Sequence, residues 1–136
     1  MVVLASALLC LAANVFFESR GEPIPGQYAV ALVTMNRAGH DPRKVCQEVT
    51  KPKQFSWTTL YLQRRRGSFS VKQEYVMKDE DSWDRATKIA RVVLSGRFPD
   101  ITNGATYYHA TYVHPGWRKE VVYREKIGNH LFYASK

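Results

Sequence analysis

The first 17 residues carry no charged side chain, and the pentapeptide Glu18-Ser19-Arg20-Gly21-Glu22 follows them directly. Apolar side chains in this run recur every three or four residues, with alanine between them: Leu4, Leu8, Leu11 and Val15. This spacing predicts a helix over residues 4–18. Much of its circumference is apolar, so we expect it to be buried. Gly21 and Pro23 end it, because proline disfavours helical geometry at the preceding residue.

An apolar start also permits a signal-like interpretation, in which the segment is cleaved. A signal peptide normally opens with a positively charged region, and the first basic residue here is Arg20. Ser6 and Asn14 interrupt the run, which is short for a membrane-spanning helix. We therefore favour a buried core helix.

The middle of the chain predicts three further helices. One follows Ile24-Pro25-Gly26 and ends near Ala38, and a short one through Val49 starts at the capping pair Asp41-Pro42. The clearest amphipathic pattern spans 81–95, with Asp81 or Ser82 as its cap and Gly96 as its end.

Two regions are less regular. Residues 51–78 are predicted to form a loop-rich segment with short strands. Residues 105–113 and 121–125 are predicted to be extended, with a turn between them at Pro115-Gly116. The chain has 136 residues, of which 45% are hydrophobic, which suits one domain over residues 1–136. We predict an α+β fold that is mainly α-helical.

Charge and cysteine content limit the function classes. Twenty Lys and Arg against twelve Asp and Glu give a net charge of +8, which favours anionic partners such as nucleic acid, acidic lipid or cell-wall polymers. Two cysteines exclude a disulfide scaffold and a four-cysteine zinc site. Cys10 and Cys46 form one bridge or remain two buried thiols.

The pentapeptide offers acid–base chemistry. Glu18 lies beside Phe16 and Phe17 at the negative end of the predicted helix, and both surroundings disfavour its ionised form. Glu22 lies in the turn, where Arg20 or Arg37 could pair with it. One neutral and one charged carboxyl form a recognised acid–base pattern. The alternative is two surface charges at a helix end.

Other candidate sites are weaker. His109, His114 and His130, with Cys46 or Glu22, could bind zinc as in peptidoglycan amidases, but no metal motif supports this. We therefore expect no metal and no cofactor. The arginine run 64–66 is typical of a solvated loop. The chain is rich in aromatic side chains, which can stack on sugar rings or simply pack.

Several further motifs follow the pentapeptide along the chain. They are Gly26-Gln27-x-Ala29-Val30-Ala31, Asn36-Arg37, Val45-Cys46, Gln54-Phe55-Ser56-Trp57, Gly104-Ala105-Thr106-x-Tyr108-His109-Ala110, Pro115-x-Trp117 and Ile127-Gly128-Asn129-His130-x-Phe132-Tyr133. Together they resemble the cell-wall hydrolase family typified by the spore-cortex-lytic enzymes of the SleB and CwlJ type. Residues 60–80 match no pattern of that family.

The resemblance implies a lysozyme-like domain that cleaves the glycan strands of peptidoglycan, as a lytic transglycosylase or a muramidase. It makes Glu18 the catalytic residue and favours a disulfide between Cys10 and Cys46. For substrate binding we predict eight residues: Glu22, Gln54, Ser56, Trp57, Tyr108, His109, Trp117 and Asn129. A basic glycan- or nucleic-acid-binding module without catalysis is the rival.

The resemblance also implies a setting. The chain has the format of a phage endolysin, which accumulates in the host cytoplasm and then reaches the periplasm and cell wall; a bacterial envelope enzyme is the other origin. We expect a monomer whose partner is bacterial peptidoglycan, without nucleic acid and without stable membrane insertion.

Overall fold

The computed structural model describes residues 1–136, which form helices and two three-stranded antiparallel sheets. The helices are α1 (Ala7–Ser19), α2 (Ile24–Arg37), α3 (Val45–Thr50), α4 (Ser56–Tyr61), α5 (Gln73–Met77) and α6 (Glu80–Leu94), with 3-10 turns at Pro42–Lys44 and Gly116–Glu120. The strands are β1 (Val2–Val3), β2 (Gln63–Arg65), β3 (Ser68–Val71), β4 (Tyr107–Ala110), β5 (Val121–Ile127) and β6 (His130–Ser135). The strand orders are β1-β3-β2 and β4-β6-β5.

Helix α1 is the centre of the main hydrophobic core. Ser6 caps its start, where the side-chain oxygen accepts a hydrogen bond from the backbone N–H of Leu9 at 3.2 Å. The helix packs against α2, α3 and α6, and eight of its 13 residues are buried. The prediction of a buried core helix is therefore confirmed, with a start three residues later than expected.

One polar side chain lies inside this core and is fully satisfied. Asn14 is completely buried; its amide donates to the Thr34 hydroxyl at 3.2 Å and its carbonyl accepts from the indole N–H of Trp57 at 2.8 Å. An unpaired buried polar group costs about 1–3 kcal/mol, so this network fixes how α1, α2 and α4 meet.

The two cysteines are joined. A disulfide links Cys10 on α1 to Cys46 on α3, with 5.3 Å between the Cα atoms. Of the two states that the sequence left open, the structure has the bridge. It encloses α2 in the closed loop and ties the helix that carries Glu18 to a second element of the core.

Other predictions are corrected at the ends of elements. Helix α6 begins at Glu80 and is capped by Asp79, whose side chain accepts from the N–H of Ser82, so the predicted cap at Asp81 or Ser82 is wrong. The segment 51–78 contains the predicted short strands and also two short helices, α4 and α5. Pro115-Gly116 leads into a 3-10 turn, and strand β6 was not predicted.

The second sheet packs on α2 and brings strand β4 to the end of α1. Ala29 and Val33 of α2 form a small buried cluster with Ala105 and Phe132. The amide of Asn36 donates to Asp100 and to the carbonyl of Ala105, both at 2.9 Å. These bonds hold the loop that leads directly into β4.

None of the helices combines the length and the apolar character that crossing a membrane requires.

Candidate active site

Glu18 lies on the last turn of α1, where two surface depressions meet. The larger, about 390 Å³, is lined by Glu18, Arg37, Lys53, Gln54, Phe55, Tyr107, Tyr108 and Trp117. The smaller, about 240 Å³, is lined by Glu18, Ser19, Gly21, Glu22, Ala110, Tyr112, Asn129 and His130. Glu18 is the one residue common to both. We call the two depressions together the cleft, and a polymer running along it would pass over this carboxyl.

The environment of Glu18 favours its protonated form. Burial raises the pKa of the Glu18 carboxyl, and a hydrogen bond from the Tyr108 hydroxyl to Oε1, at 2.5 Å, opposes this without cancelling it. Burial also raises the pKa of Tyr108 well above its ordinary value, so this phenol remains a donor. The proton of a neutral Glu18 is thus directed to the other carboxyl oxygen, Oε2.

Glu22 has the opposite character. Burial acts to raise its pKa, but hydrogen bonds from the backbone and side-chain N–H of Asn129, at 2.9 and 3.1 Å, and the nearby His130 lower it overall. The Nδ1 atom of His130 lies 3.2 Å from Oε1 of Glu22. The directions of the two shifts agree with the contrast expected for Glu18 and Glu22.

The partners of Glu22 differ from those expected. Arg20 lies 3.9 Å from Asp79, and Arg37 lies 3.8 Å from Glu48, so the predicted pairing of Glu22 with either arginine is wrong. Glu22 instead joins the turn after α1 to the turn between β5 and β6. Strand β6 pairs with β4 at Tyr108↔Phe132, so this clamp helps hold Tyr108 against Glu18.

The turn beside this clamp has no room for a side chain. Gly128 has φ of +58°, and a Cβ there would lie 2.8 Å from Oε1 of Glu22. We expect Gly128→Ala to lower the free energy of unfolding by about 2–4 kcal/mol, since the left-handed backbone costs about 1–2 and a displaced Glu22 leaves its donors unpaired. Urea unfolding measures this. Gly67→Ala is the matched control, with φ of +72° and open space around it. Equal losses in the two variants would contradict the clamp.

Five of the eight predicted substrate residues line the cleft: Gln54, Tyr108 and Trp117 in the larger depression, and Glu22 and Asn129 in the smaller. The structure adds Arg37, Lys53, Phe55 and Tyr107 on one side, and Tyr112 and His130 on the other. Three of these additions, Arg37, Phe55 and His130, belong to motifs already identified in the sequence.

The other three predicted residues lie outside the cleft. Trp57 is 3% exposed and stacks on Phe17, so it is a core residue. His109 is 7% exposed; its Nδ1 contacts the carbonyl of Ala110 at 2.7 Å, and its Nε2 contacts the Tyr133 hydroxyl at 2.8 Å. A carbonyl only accepts, so Nδ1 donates to it, and in the neutral ring Nε2 accepts from the Tyr133 hydroxyl. Ser56 is exposed at the start of α4 and lines neither depression.

The side chains considered for a zinc site are dispersed. His109 bonds Tyr133, His114 lies 2.8 Å from Arg118, His130 faces Glu22, and Cys46 is in the disulfide. No three potential metal ligands come together in the structure.

Sequence comparison places this cleft in a family. Residues 21–133 match the profile of the family described as Cell Wall Hydrolase. The chain belongs to the cell wall hydrolase family. No curated protein sequence matches this cell wall hydrolase significantly.

Solved structures extend the likeness across the region that holds Glu18. This cell wall hydrolase is similar to the catalytic domain of the germination-specific lytic transglycosylase SleB from Bacillus anthracis, with 26% identity and a TM-score of 0.65 over 95% of this chain and 94% of that one. It is also similar to the catalytic domain of SleB from Bacillus cereus, with 28% identity and a TM-score of 0.63 over 93% and 89%. These matches confirm the predicted fold class and family.

Proposed function

We propose that residues 1–136 form a single catalytic domain that cleaves the β-1,4 bond between N-acetylmuramic acid and N-acetylglucosamine in peptidoglycan. The observation that carries the proposal is the position of Glu18, whose carboxyl has a raised pKa and lies where the two halves of the cleft meet. Family membership and the similarity to a lytic transglycosylase support the same reaction class.

In the first step Glu18 acts as the general acid. Its Oε2 proton passes to the glycosidic oxygen, the bond from that oxygen to C1 of the muramoyl sugar breaks, and the N-acetylglucosamine part leaves with a free hydroxyl. Positive charge develops on C1 and the ring oxygen, as in other glycosidases. The hydrogen bond from Tyr108 holds the carboxyl in place and stabilises the carboxylate that remains.

In the second step the same carboxylate acts as a base. Glu18 takes the proton of the muramoyl C6 hydroxyl while that oxygen forms a bond to C1, which closes a 1,6-anhydro ring and restores the acid. No water is consumed. Intramolecular attack of this kind gains from a high effective concentration of the nucleophile.

The cleft favours this route over hydrolysis with two carboxylates. Retaining and inverting glycosidases use a second free Asp or Glu as nucleophile or base. The larger depression contains no carboxyl besides Glu18, and the smaller adds only Glu22. Both oxygens of Glu22 accept hydrogen bonds from Asn129, so it is a positioning residue in this proposal.

Mass spectrometry of the digest tests the function. A transglycosylase releases muropeptides that end in 1,6-anhydro-muramic acid, each lighter by one water than the product of a muramidase. Reducing muramic ends would show hydrolysis at the same bond. Free stem peptides whose release a chelator blocks would favour a zinc amidase, and binding without any soluble product would favour the non-catalytic module.

The pH profile gives a second prediction. The protonated form of Glu18 starts the reaction, so activity falls as pH rises through its pKa. Tyr108→Phe removes the hydrogen bond that lowers this pKa, and we expect the alkaline limb of kcat/KM to move to higher pH. Tyr123→Phe, on exposed β5, is the control. An unmoved or lowered alkaline limb in Tyr108→Phe would contradict the role assigned to this hydrogen bond.

We further propose that the enzyme acts as a monomer on the bacterial cell wall, and that it is a phage endolysin. The net charge of +8 suits an anionic wall, and the attraction weakens with salt. We expect that cells which make the protein lyse only after their inner membrane is permeabilised. Gel filtration with light scattering tests the monomer.

A further inference from the structure

One segment carries most of the excess charge of the chain, and its charged residues have no role in the reaction steps proposed above. Residues 51–72 contain six basic residues and no acidic one, against a net charge of +8 for the whole chain. The six are Lys51, Lys53, Arg64, Arg65, Arg66 and Lys72, and all are exposed. The segment therefore forms a local positive field beside a site that acts on an anionic polymer.

The three arginines are held by the hairpin of β2 and β3. Arg64 pairs in register with Phe69, and its guanidinium carbon lies 5.5 Å from the centre of that ring. Arg64 and Phe69 line a third depression of about 450 Å³, whose other walls are Gln47, Thr50, Lys51 and Pro52. The hairpin thus supplies one side of this depression, and α3 with the two residues that follow it supplies the other.

A single turn separates this third depression from the cleft. Lys51 and Pro52 line the third depression, whereas Lys53, Gln54 and Phe55 line the part of the cleft that contains Glu18. The turn is closed by a hydrogen bond from the N–H of Gln54 to the carbonyl of Lys51 at 3.1 Å. Lys53 and Lys51 are two residues apart, about 7 Å along the backbone at most.

Most of these charges have no partner within the protein. Lys51 lies 3.7 Å from Glu48, which Arg37 also approaches. Lys53 and the arginines 64–66 form no ion pair. Guanidinium groups bind carboxylates through paired N–H donors, so unpaired arginines beside the third depression suit an anionic ligand.

We propose that the third depression and the arginines of the hairpin bind the carboxylates of the peptide stems that branch from the glycan strand. This inference rests on the proposed function. A stem is attached to a muramoyl sugar of the strand in the cleft, so its carboxylates stay near the turn at high effective concentration. A separate polyanion gains no such advantage. The enzyme therefore prefers stem-bearing strands to bare ones.

The experiment compares two substrates made from one preparation: glycan strands with their stems, and the same strands after an amidase has removed them. We expect the wild type to show a kcat/KM on stem-bearing strands about three- to tenfold higher than on bare strands at low salt, and less at high salt. The triple variant Arg64→Gln, Arg65→Gln, Arg66→Gln loses this preference. The matched control is the triple variant Arg85→Gln, Lys88→Gln, Arg91→Gln, which removes the same charge from exposed positions of α6. We expect this control to keep the preference for stem-bearing strands.

The outcomes separate this inference from the proposed function. Cleavage of neither substrate by the wild type overturns the function. Equal wild-type rates on the two substrates overturn the stem site alone. An equal loss of the preference in both triple variants also overturns it, because this would show a general attraction between positive charge and the substrate. A hairpin variant that keeps its preference for stems but loses binding to a phosphate polymer or to nucleic acid would assign the arginines to that partner. Melting temperatures verify that each variant is folded.

Discussion

Glu18→Gln is expected to lower kcat for glycan cleavage by about 10²–10⁴-fold, which is the range for loss of a general acid. Glutamine has nearly the same shape, and its amide oxygen can still accept the hydrogen bond that Tyr108 donates to Oε1. It has no proton to give to a glycosidic oxygen. Because the cleft contains no other free carboxyl, no neighbouring group can replace the lost acid.

Release of soluble muropeptides from purified peptidoglycan measures this effect, with binding to the insoluble wall measured in parallel. We expect binding to remain within a fewfold of the wild type, since the change removes chemistry and leaves the cleft intact. Glu74→Gln, on exposed α5, is the matched control and should keep full activity. A Glu18→Gln enzyme that retains a tenth or more of the wild-type rate would remove Glu18 from the mechanism.

Loss of the disulfide is expected to lower the free energy of unfolding substantially. Cys10 and Cys46 are 36 residues apart, and closing a loop of that length stabilises a domain by about 2–4 kcal/mol. The paired variant Cys10→Ala, Cys46→Ala therefore unfolds at a lower urea concentration than the oxidised wild type. The free energy of unfolding from urea titration measures the difference.

Reduction of the wild type separates the two causes of that loss. Cys10 is completely buried, so its replacement by alanine also removes packed sulfur. Wild type kept in reductant loses only the covalent link. Its free energy of unfolding should therefore lie between those of the oxidised protein and the paired variant. If reduction left the urea midpoint unchanged, the bridge would be absent in solution or would contribute nothing to stability.

Local patterns were enough to predict the long helices of the core, but not the short helices α4 and α5. The periodicity of α1 and α6 and the stop signals at Gly21, Pro23 and Gly96 all lie within a few residues of the element that they define. Helix caps were less certain, because Asp79, Asp81 and Ser82 are all suitable caps and the tertiary fold selects among them.

Contacts between distant residues could not be predicted in the same way. Glu22 and Asn129 are 107 residues apart, and no local rule places one against the other. Trp57 was expected to bind sugar, but its indole N–H donates a hydrogen bond to Asn14 inside the core, 43 residues away in the sequence. For His109 a signal did exist: side chains alternate along a strand, so if Tyr108 faces Glu18, His109 faces the opposite side.

The strand order of the second sheet has a consequence for biosynthesis. Strand β6 lies between β4 and β5, which do not pair with each other, although it follows both in the chain. Domains fold as they emerge from the ribosome, N-terminal part first, so the helical core can form while β4 still lacks its only partner. The residues of β6 that pair with β4 are His130–Tyr133, and Phe132 lies opposite Tyr108. A nascent chain that has not yet exposed β6 therefore lacks the strand that holds Tyr108 beside Glu18, even when its helical core is folded.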